Sequence, residues 1–374
     1  MKTVAIYIDW PDRLAFYLRL AWALRELGWT PVCWTNKLAL HRRARREGLP
    51  SRLLRRTRRA EEADLRHTRE VAGGFLTPEL AVGLYRSALE TLERLDREGG
   101  LDCVMIWNGS DVIGEAARRF ARDAGCRVVF LELANLPGRL FADPEGVNAR
   151  SSLTKRPDRL DRLDVDETAF EDWRRDWVES RLRAHPVPQA SIFETVGYLS
   201  TLTNRLAFHW LGVPPDDTVP LVSKWLARRR RAAAVPVEEA SGLDSPYVLF
   251  PMQVSSDTQL LINSDVDNLA AIERCAAMAA ELGCELVVKP HPAEQDPAEI
   301  ERIVEARRRL GFRLVGGNTI RWIDGARRVV TVNSTVGLEA LLLGRETRFL
   351  GRSFYPHLAD HRRLAAYVTG YLLE

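Results

Sequence analysis

Apolar residues along this chain fall into short continuous runs that alternate with longer stretches where they recur every three or four positions. Lys2–Asp9 reads as a strand, Asp12–Leu27 as an amphipathic helix closed by Gly28, and Thr30–Thr35 as a second strand. Leu101–Trp107, Asp111–Ala124 and Arg127–Leu131 continue the alternation as strand, helix and strand. Between residues 225 and 245 the pattern stops. Arg228–Arg231, Pro236 and the stretch from Gly242 to Pro246 read as a linker. A second series follows: strand Tyr247–Pro251, helix Val266–Leu282, strand Glu285–Lys289, helix Pro297–Leu310, strand Arg328–Val332, helix Thr335–Leu343 and strand Thr347–Leu350. Strands that alternate with helices predict parallel sheets covered on both faces. The expectation is two doubly wound α/β domains, residues 1–225 and 226–374, with a cleft between them and ligands at the carboxyl ends of the strands.

Composition agrees with this reading. At 374 residues the chain suits two ordinary cores, and 46% hydrophobic with 28% charged residues is a globular balance. Cys33, Cys103, Cys126, Cys275 and Cys284 form no CxxC pair and no zinc-type cluster, which fits reduced thiols. The apolar start is too short for a signal peptide, and no segment has the ~20 apolar residues of a membrane span. A cytoplasmic location is therefore expected. The net charge of +3 hides an uneven distribution, because Arg42, Arg43, Arg45, Arg46, Arg52, Arg55, Arg56, Arg58 and Arg59 crowd residues 41–69. This stretch reads either as a solvated helical face or as a surface for anionic lipid at the inner membrane. Nucleic acid is not expected, since no aromatics are interleaved and no binding motif occurs elsewhere.

Four stretches carry candidate chemistry. In Val287–Pro292 a strand delivers Lys289 and His291 at its carboxyl end, and Pro290 and Pro292 stiffen the exit. Lys289 suits a phosphate or carboxylate, and His291 suits a hydrogen bond to phosphate or a proton for a leaving group; the plain alternative is a proline-rich turn. In Val329–Leu341 an apolar strand ends in Asn333-Ser334-Thr335 and a helix begins at once. Ser334 and Thr335 either cap that helix, donate to a bound phosphate, or do both. Gly337 permits close approach, and Glu339 is either a ribose ligand or a solvated helix residue. In Leu249–Gln259, Gln253, Asp257 and Gln259 sit on a strand-to-helix connection, with an Asx-type cap by Asp257 as the alternative. In Val128–Ser151, a strand runs into Glu132, placed as an acid or base, and Arg139 suits a carboxylate. The alternative there is a surface loop in which Glu132 pairs with Arg139.

Dinucleotide, P-loop, serine-hydrolase and zinc-protease motifs are all missing, and no DxD pair ends a strand, so neither a cofactor nor a metal is expected. His185-Pro186 is a second His-Pro pair, but no strand precedes it.

Taken together, Lys289-Pro290-His291-Pro292 and Asn333–Leu341 resemble the paired signature of the Kps-type capsule polysaccharide biosynthesis β-Kdo transferases (Kdo is 3-deoxy-D-manno-octulosonic acid). Pro251-Met252-Gln253 with Asp257-Thr258-Gln259 resembles the P-x-Q…D-x-Q stretch of their smaller, single-module members. Glu132, Pro137, Arg139 and Gly146–Ser151, which includes Asn148, resemble their acidic strand end and following loop. Where the family usually has a glycine and an aromatic after the acid, this chain has Leu133-Ala134-Asn135.

The resemblance implies a GT-B fold made of two Rossmann-like domains, CMP-β-Kdo as donor, and transfer with retention to a lyso-phosphatidylglycerol-type lipid acceptor. It implies that His291, Ser334 and Thr335 hold the CMP phosphate. Retention through two inversions needs a carboxylate nucleophile, for which Asp257 is the candidate, with Glu132 as the base for the acceptor hydroxyl. Lys289, Asn333, Glu339, Gln253, Arg139 and Asn148 complete the expected binding set. Two other readings stand beside this one: a CDP-glycerol-type polyol-phosphate transferase, and a catalytically inactive factor that joins the capsule assembly and export proteins.

Overall fold

The computed structural model describes residues 2–134, 136–183, 194–219, 235, 237–238, 243 and 245–374, with backbone only for 194–202. Two compact units emerge. The first comprises Met1–Ala134, Leu140–Val147 and Ala190–Pro220; the second comprises Asn135–Arg139, Asn148–Gln189 and Leu221–Glu374. The boundary expected at residue 225, most of the 225–245 linker and His185 lie outside the described residues.

The first unit is built on a six-stranded sheet of β1 (Lys2–Tyr7), β2 (Trp29–Thr35), β3 (Ser51–Leu53), β4 (Cys103–Trp107), β5 (Arg127–Leu133) and β6 (Leu140–Asp143). Their order is β3-β2-β1-β4-β5-β6, parallel except for β6, which runs antiparallel to β5. This is the doubly wound order, whose switch point falls between β1 and β4. Burial explains the near-continuous apolar runs: five of the six residues of β1 are buried, with Val4, Ile6 and Ile8 in one cluster with Tyr17, Ala21 and Leu24 of α1 (Leu14–Glu26). The turn from β4 to the helix Val112–Ala124 depends on Gly109. Its φ is +73°, and an added Cβ would stand 2.2 Å from the Phe130 ring. Asp111 caps that helix by accepting from the Gly114 N–H at 2.7 Å.

The second unit holds a five-stranded parallel sheet of β7 (Tyr247–Pro251), β8 (Glu285–Lys289), β9 (Arg313–Leu314), β10 (Arg328–Thr331) and β11 (Glu346–Phe349). Its order is β11-β10-β7-β8-β9, so the chain reverses direction across the sheet between β7 and β10. Every residue of β7 is buried, and Val248, Phe250, Val288 and Val330 join Ile272 and Cys275 in the core. The expected strands and helices are present with ends shifted by at most two residues; the unpredicted elements include two long helices, Pro78–Gly99 and Glu167–Arg183, as well as short strands. β3, β6 and β9 have two to four residues each, too few to show a period of two.

Candidate functional site

The switch point of the second sheet is closed by a polar clamp. Gln253 leaves β7 and Asn333 leaves β10; they are only 5% and 4% exposed. Gln253 Nε2 donates to Asn333 Oδ1 at 3.0 Å, and the Asn333 backbone N–H donates to Gln253 Oε1 at 3.2 Å. Asn333 Nδ2 also donates to the carbonyls of Gln259 (2.9 Å) and Asn263 (3.3 Å). Two amide side chains thus fasten the carboxyl ends of neighbouring strands, and they satisfy one another where an unpaired amide would be costly.

Asp257 stands on the loop that this clamp orients. It caps the short helix Thr258–Asn263, with Oδ1 accepting from Gln259 N–H at 2.9 Å. Its other oxygen lies 3.4 Å from Gln253 Nε2. The capping alternative is therefore realised in the geometry, and it also fixes where the carboxylate sits. The loop after β8 is tied to the same place by Glu294, whose Oε2 accepts from Ser255 N–H at 2.6 Å.

Lys289 ends β8, is 9% exposed, and its carbonyl accepts from Met252 N–H at 2.9 Å. Burial lowers its pKa, and among the described residues no carboxylate forms an ion pair with it. A buried ammonium without a carboxylate partner favours an anionic ligand. His291 follows it. Burial lowers the imidazole pKa, nearby Lys289 lowers it further, and Asp257 and Glu294 act in the opposite sense. Nδ1 accepts from Ala293 N–H at 3.1 Å, so the neutral ring carries its proton on Nε2, ready to donate.

Ser334 Oγ accepts from Val336 N–H at 3.2 Å at the start of the helix Val336–Leu342, while Thr335 makes no side-chain cap bond. The close approach at Gly337 is to protein: an added Cβ would lie 2.3 Å from the Phe349 ring and 3.0 Å from Thr331. Glu339 is largely buried rather than solvated. Its carboxylate takes the Arg181 guanidinium, and burial raises its pKa against that neighbour.

In the first unit Glu132 lies beside the end of β4. It accepts from Trp107 Nε1 at 3.1 Å, from Asn108 Nδ2 at 2.5 Å and from its neighbour Leu133 N–H at 3.1 Å. Burial raises its pKa, while the Asn108 hydrogen bond and the nearby Arg13 pull it back. The Arg13 guanidinium covers the Trp107 ring at 4.4 Å and pairs with Asp9. Glu132 is thus held by Trp107 and Asn108, and Arg139 makes other contacts. Arg139, in the second unit, donates to the Val368 carbonyl at 2.6 Å and pairs with Glu374 at 3.0 Å. Asn148 adopts a positive φ of 52° and supplies its carbonyl to Ser151 N–H and the Thr154 hydroxyl.

Sequence reading missed a second polar cluster, at the carboxyl edge of the first sheet. The Tyr7 hydroxyl donates to Asn36 Oδ1 at 2.9 Å, and Lys37 pairs with Asp216, 179 residues away. Glu70 is 3% exposed and accepts from Val112 N–H at 3.1 Å; burial and the neighbouring Asp111 raise its pKa. These residues come from five distant segments, so no local motif marks them. The Asp9–Asp12 end of the first apolar run was the one sequence signal nearby.

Protein FixF of Sinorhizobium fredii (strain NBRC 101917 / NGR234) is 30% identical over 260 residues, covering 67% of this chain and 49% of FixF. The chain therefore spans about half the length of that relative. A solved structure described as Thermosulfurimonas dismutans KpsC, beta Kdo 2,7 transferase, aligns over 99% of this chain and 92% of its own, with 15% identity and a TM-score of 0.50. That likeness concerns the fold, a GT-B arrangement of two Rossmann-like α/β units. The stretch that carries Gln253, Asp257, Lys289, His291, Asn333 and Ser334 is also the stretch that matches a family model: residues 220–369 match that of the capsule polysaccharide biosynthesis proteins.

Proposed function

We propose that this chain is a retaining β-Kdo glycosyltransferase of capsule polysaccharide biosynthesis, which moves Kdo from CMP-β-Kdo to a lyso-phosphatidylglycerol-type lipid acceptor. The observation that carries the reading is the gathering of Asp257, Lys289, His291 and Ser334 around the Gln253–Asn333 clamp at the switch point of one parallel sheet. Open α/β sheets bind their ligands at this place. The family match over these residues and the Kdo transferase name of the structure that shares the fold support the choice of sugar.

In this reading Lys289, the Nε2–H of His291 and the hydroxyls of Ser334 and Thr335 receive the CMP phosphate. Asp257 attacks the anomeric carbon as the bond to the CMP oxygen breaks, and the electron pair leaves with CMP, neutralised by Lys289 and His291. The acceptor hydroxyl then attacks the same carbon, Asp257 departs as carboxylate, and Glu132 takes the proton. Two inversions give net retention. Gln253 and Asn333 position the loop, Glu339 is assigned to ribose, and Arg139 and Asn148 to the sugar side.

The test is incubation with CMP-Kdo generated in situ and a panel of lipid acceptors, with products read by mass spectrometry and anomeric configuration by NMR. A β-Kdo lipid product supports the proposal. A product formed only from CDP-glycerol moves the chain to the polyol-phosphate class, and no turnover or hydrolysis of either donor marks an inactive assembly factor.

A further inference from the structure

The arginine-rich stretch is not used by the chemistry above, and it is folded into a defined surface of the first unit. Its first part is the helix α2 (Leu38–Arg46), where Arg42, Arg45 and Arg46 share one face through their i, i+3 and i, i+4 spacing. Together with Arg55, beyond β3, they line a cavity of about 360 Å³ whose remaining wall is His41, Leu38, Leu53 and Leu211. Among the described residues, none of these four arginines has an ion-pair partner; the neighbouring carboxylates are engaged elsewhere, Glu47 by Arg43 and Glu98 by Arg52. The chain pins this arrangement in place. Arg56 N–H donates to the Gly212 carbonyl at 2.7 Å, its guanidinium lies 4.2 Å from the Phe208 ring, and His41 Nδ1 is 2.9 Å from Ser51 Oγ.

An apolar ridge adjoins the cavity. On the helix Glu194–Leu211, Leu206 and Trp210 are one turn apart and are 52% and 81% exposed, and Leu211, which enters the cavity wall, is 50% exposed. Cations with no counter-ion next to an exposed tryptophan and leucines match both halves of a bilayer interface, the anionic headgroups and the acyl boundary. A soluble anion would leave the ridge unused. We propose that the α2–Arg55 cavity and the Leu206–Trp210–Leu211 ridge form a docking surface for a bilayer containing anionic phospholipid. The cavity takes a phosphate headgroup, and the ridge enters the interface. No described helix is long and apolar enough to cross a membrane, so the surface acts from one side. The proposal does not rest on the donor or on the catalytic assignment.

The test is flotation of the full chain with phosphatidylcholine vesicles that lack or contain phosphatidylglycerol, without any donor. The wild type is expected to float with the anionic vesicles only, and to be released by salt. Each arginine removed should weaken binding roughly fivefold, so R45Q/R46Q should lose about twenty-fivefold. Trp210→Ser, at an exposed position that leaves the fold intact, should also weaken it. Equal binding to neutral vesicles, failure to float with either, or unchanged binding by R45Q/R46Q overturns the proposal. Binding that Trp210→Ser leaves intact and that free glycerol 1-phosphate abolishes would mark a soluble-phosphate site, and overturns it too.

Discussion

Asn333→Ala is the substitution with the most clearly computable consequence. It deletes the acceptor for Gln253 Nε2 at 3.0 Å and the donor to the Gln259 and Asn263 carbonyls at 2.9 and 3.3 Å. Asn263 O keeps a second donor, Arg352 N–H at 2.8 Å, so that loss is the mildest. Gln253, 5% exposed, keeps only its longer 3.4 Å contact to Asp257 for Nε2. Two well-made buried bonds at ~1 kcal/mol each, plus the cost of one poorly satisfied amide, come to roughly 3 kcal/mol. Because the chain holds two units, global unfolding is not one transition. The appropriate assay is hydrogen exchange resolved to peptides of β7, β8 and β10. About 3 kcal/mol corresponds to roughly hundredfold faster exchange there, with the first unit unchanged. Gln253→Ala should be strongly non-additive with Asn333→Ala, by on the order of 1–2 kcal/mol in a double-mutant cycle. Unchanged protection, or strict additivity, would refute the clamp.

His291→Ala and Ser334→Ala should each weaken CMP binding by roughly 1.5–3 kcal/mol, the worth of a hydrogen bond to a charged group, and wild-type affinity by calorimetry in both folded variants would sink the assignment. Gly337→Ala should destabilise the second unit by about 1–3 kcal/mol, since the new Cβ falls 2.3 Å from the Phe349 ring; an unchanged melting curve would contradict that packing. The Glu132 pKa is raised, and a base must be ionised, so transfer should fail as pH drops through a value above the usual glutamate 4.5. Asn108→Ala removes a bond that favours the ionised form and should move this acid limb further upward; an unmoved limb in the kcat profile argues against Glu132 as base. Glu70 is raised too, so its folded state prefers the proton. Its contribution is full below the unfolded value near 4.5 and is lost as pH climbs toward the raised folded value, and Glu70→Gln should flatten that decline in urea titrations.

Fold and site were legible in the sequence to different depths. Strands buried along nearly their whole length, such as Tyr247–Pro251 and Glu285–Lys289, announce themselves as apolar runs between polar turns, and both were read to the residue. β6 was not, because four residues of an antiparallel edge strand inside a glycine- and proline-marked loop carry no periodicity. Residues just after a strand were legible as a site because the doubly wound topology brings every strand's carboxyl end to one edge. Their partners were not. Nothing in the sequence ties Lys37 to Asp216, Glu132 to Asn108 or Glu339 to Arg181, since each pairing is made by the fold across 24 to 179 residues. The grouping of residues 148–189 with the second unit is likewise a matter of packing.

The central claim is that Asp257, held by the Gln259 N–H and facing Gln253, is a nucleophile and more than a cap. Losing a cap costs about 1 kcal/mol of stability and leaves turnover, whereas losing a nucleophile removes turnover and leaves the fold. The most direct measurement is peptide mass spectrometry of the enzyme quenched with CMP-Kdo in the absence of acceptor. The account predicts a Kdo adduct on the peptide containing Asp257, and an Asp257→Asn variant that folds, binds CMP and carries neither adduct nor activity. An adduct mapped to another residue, or an active Asp257→Asn variant, would contradict it.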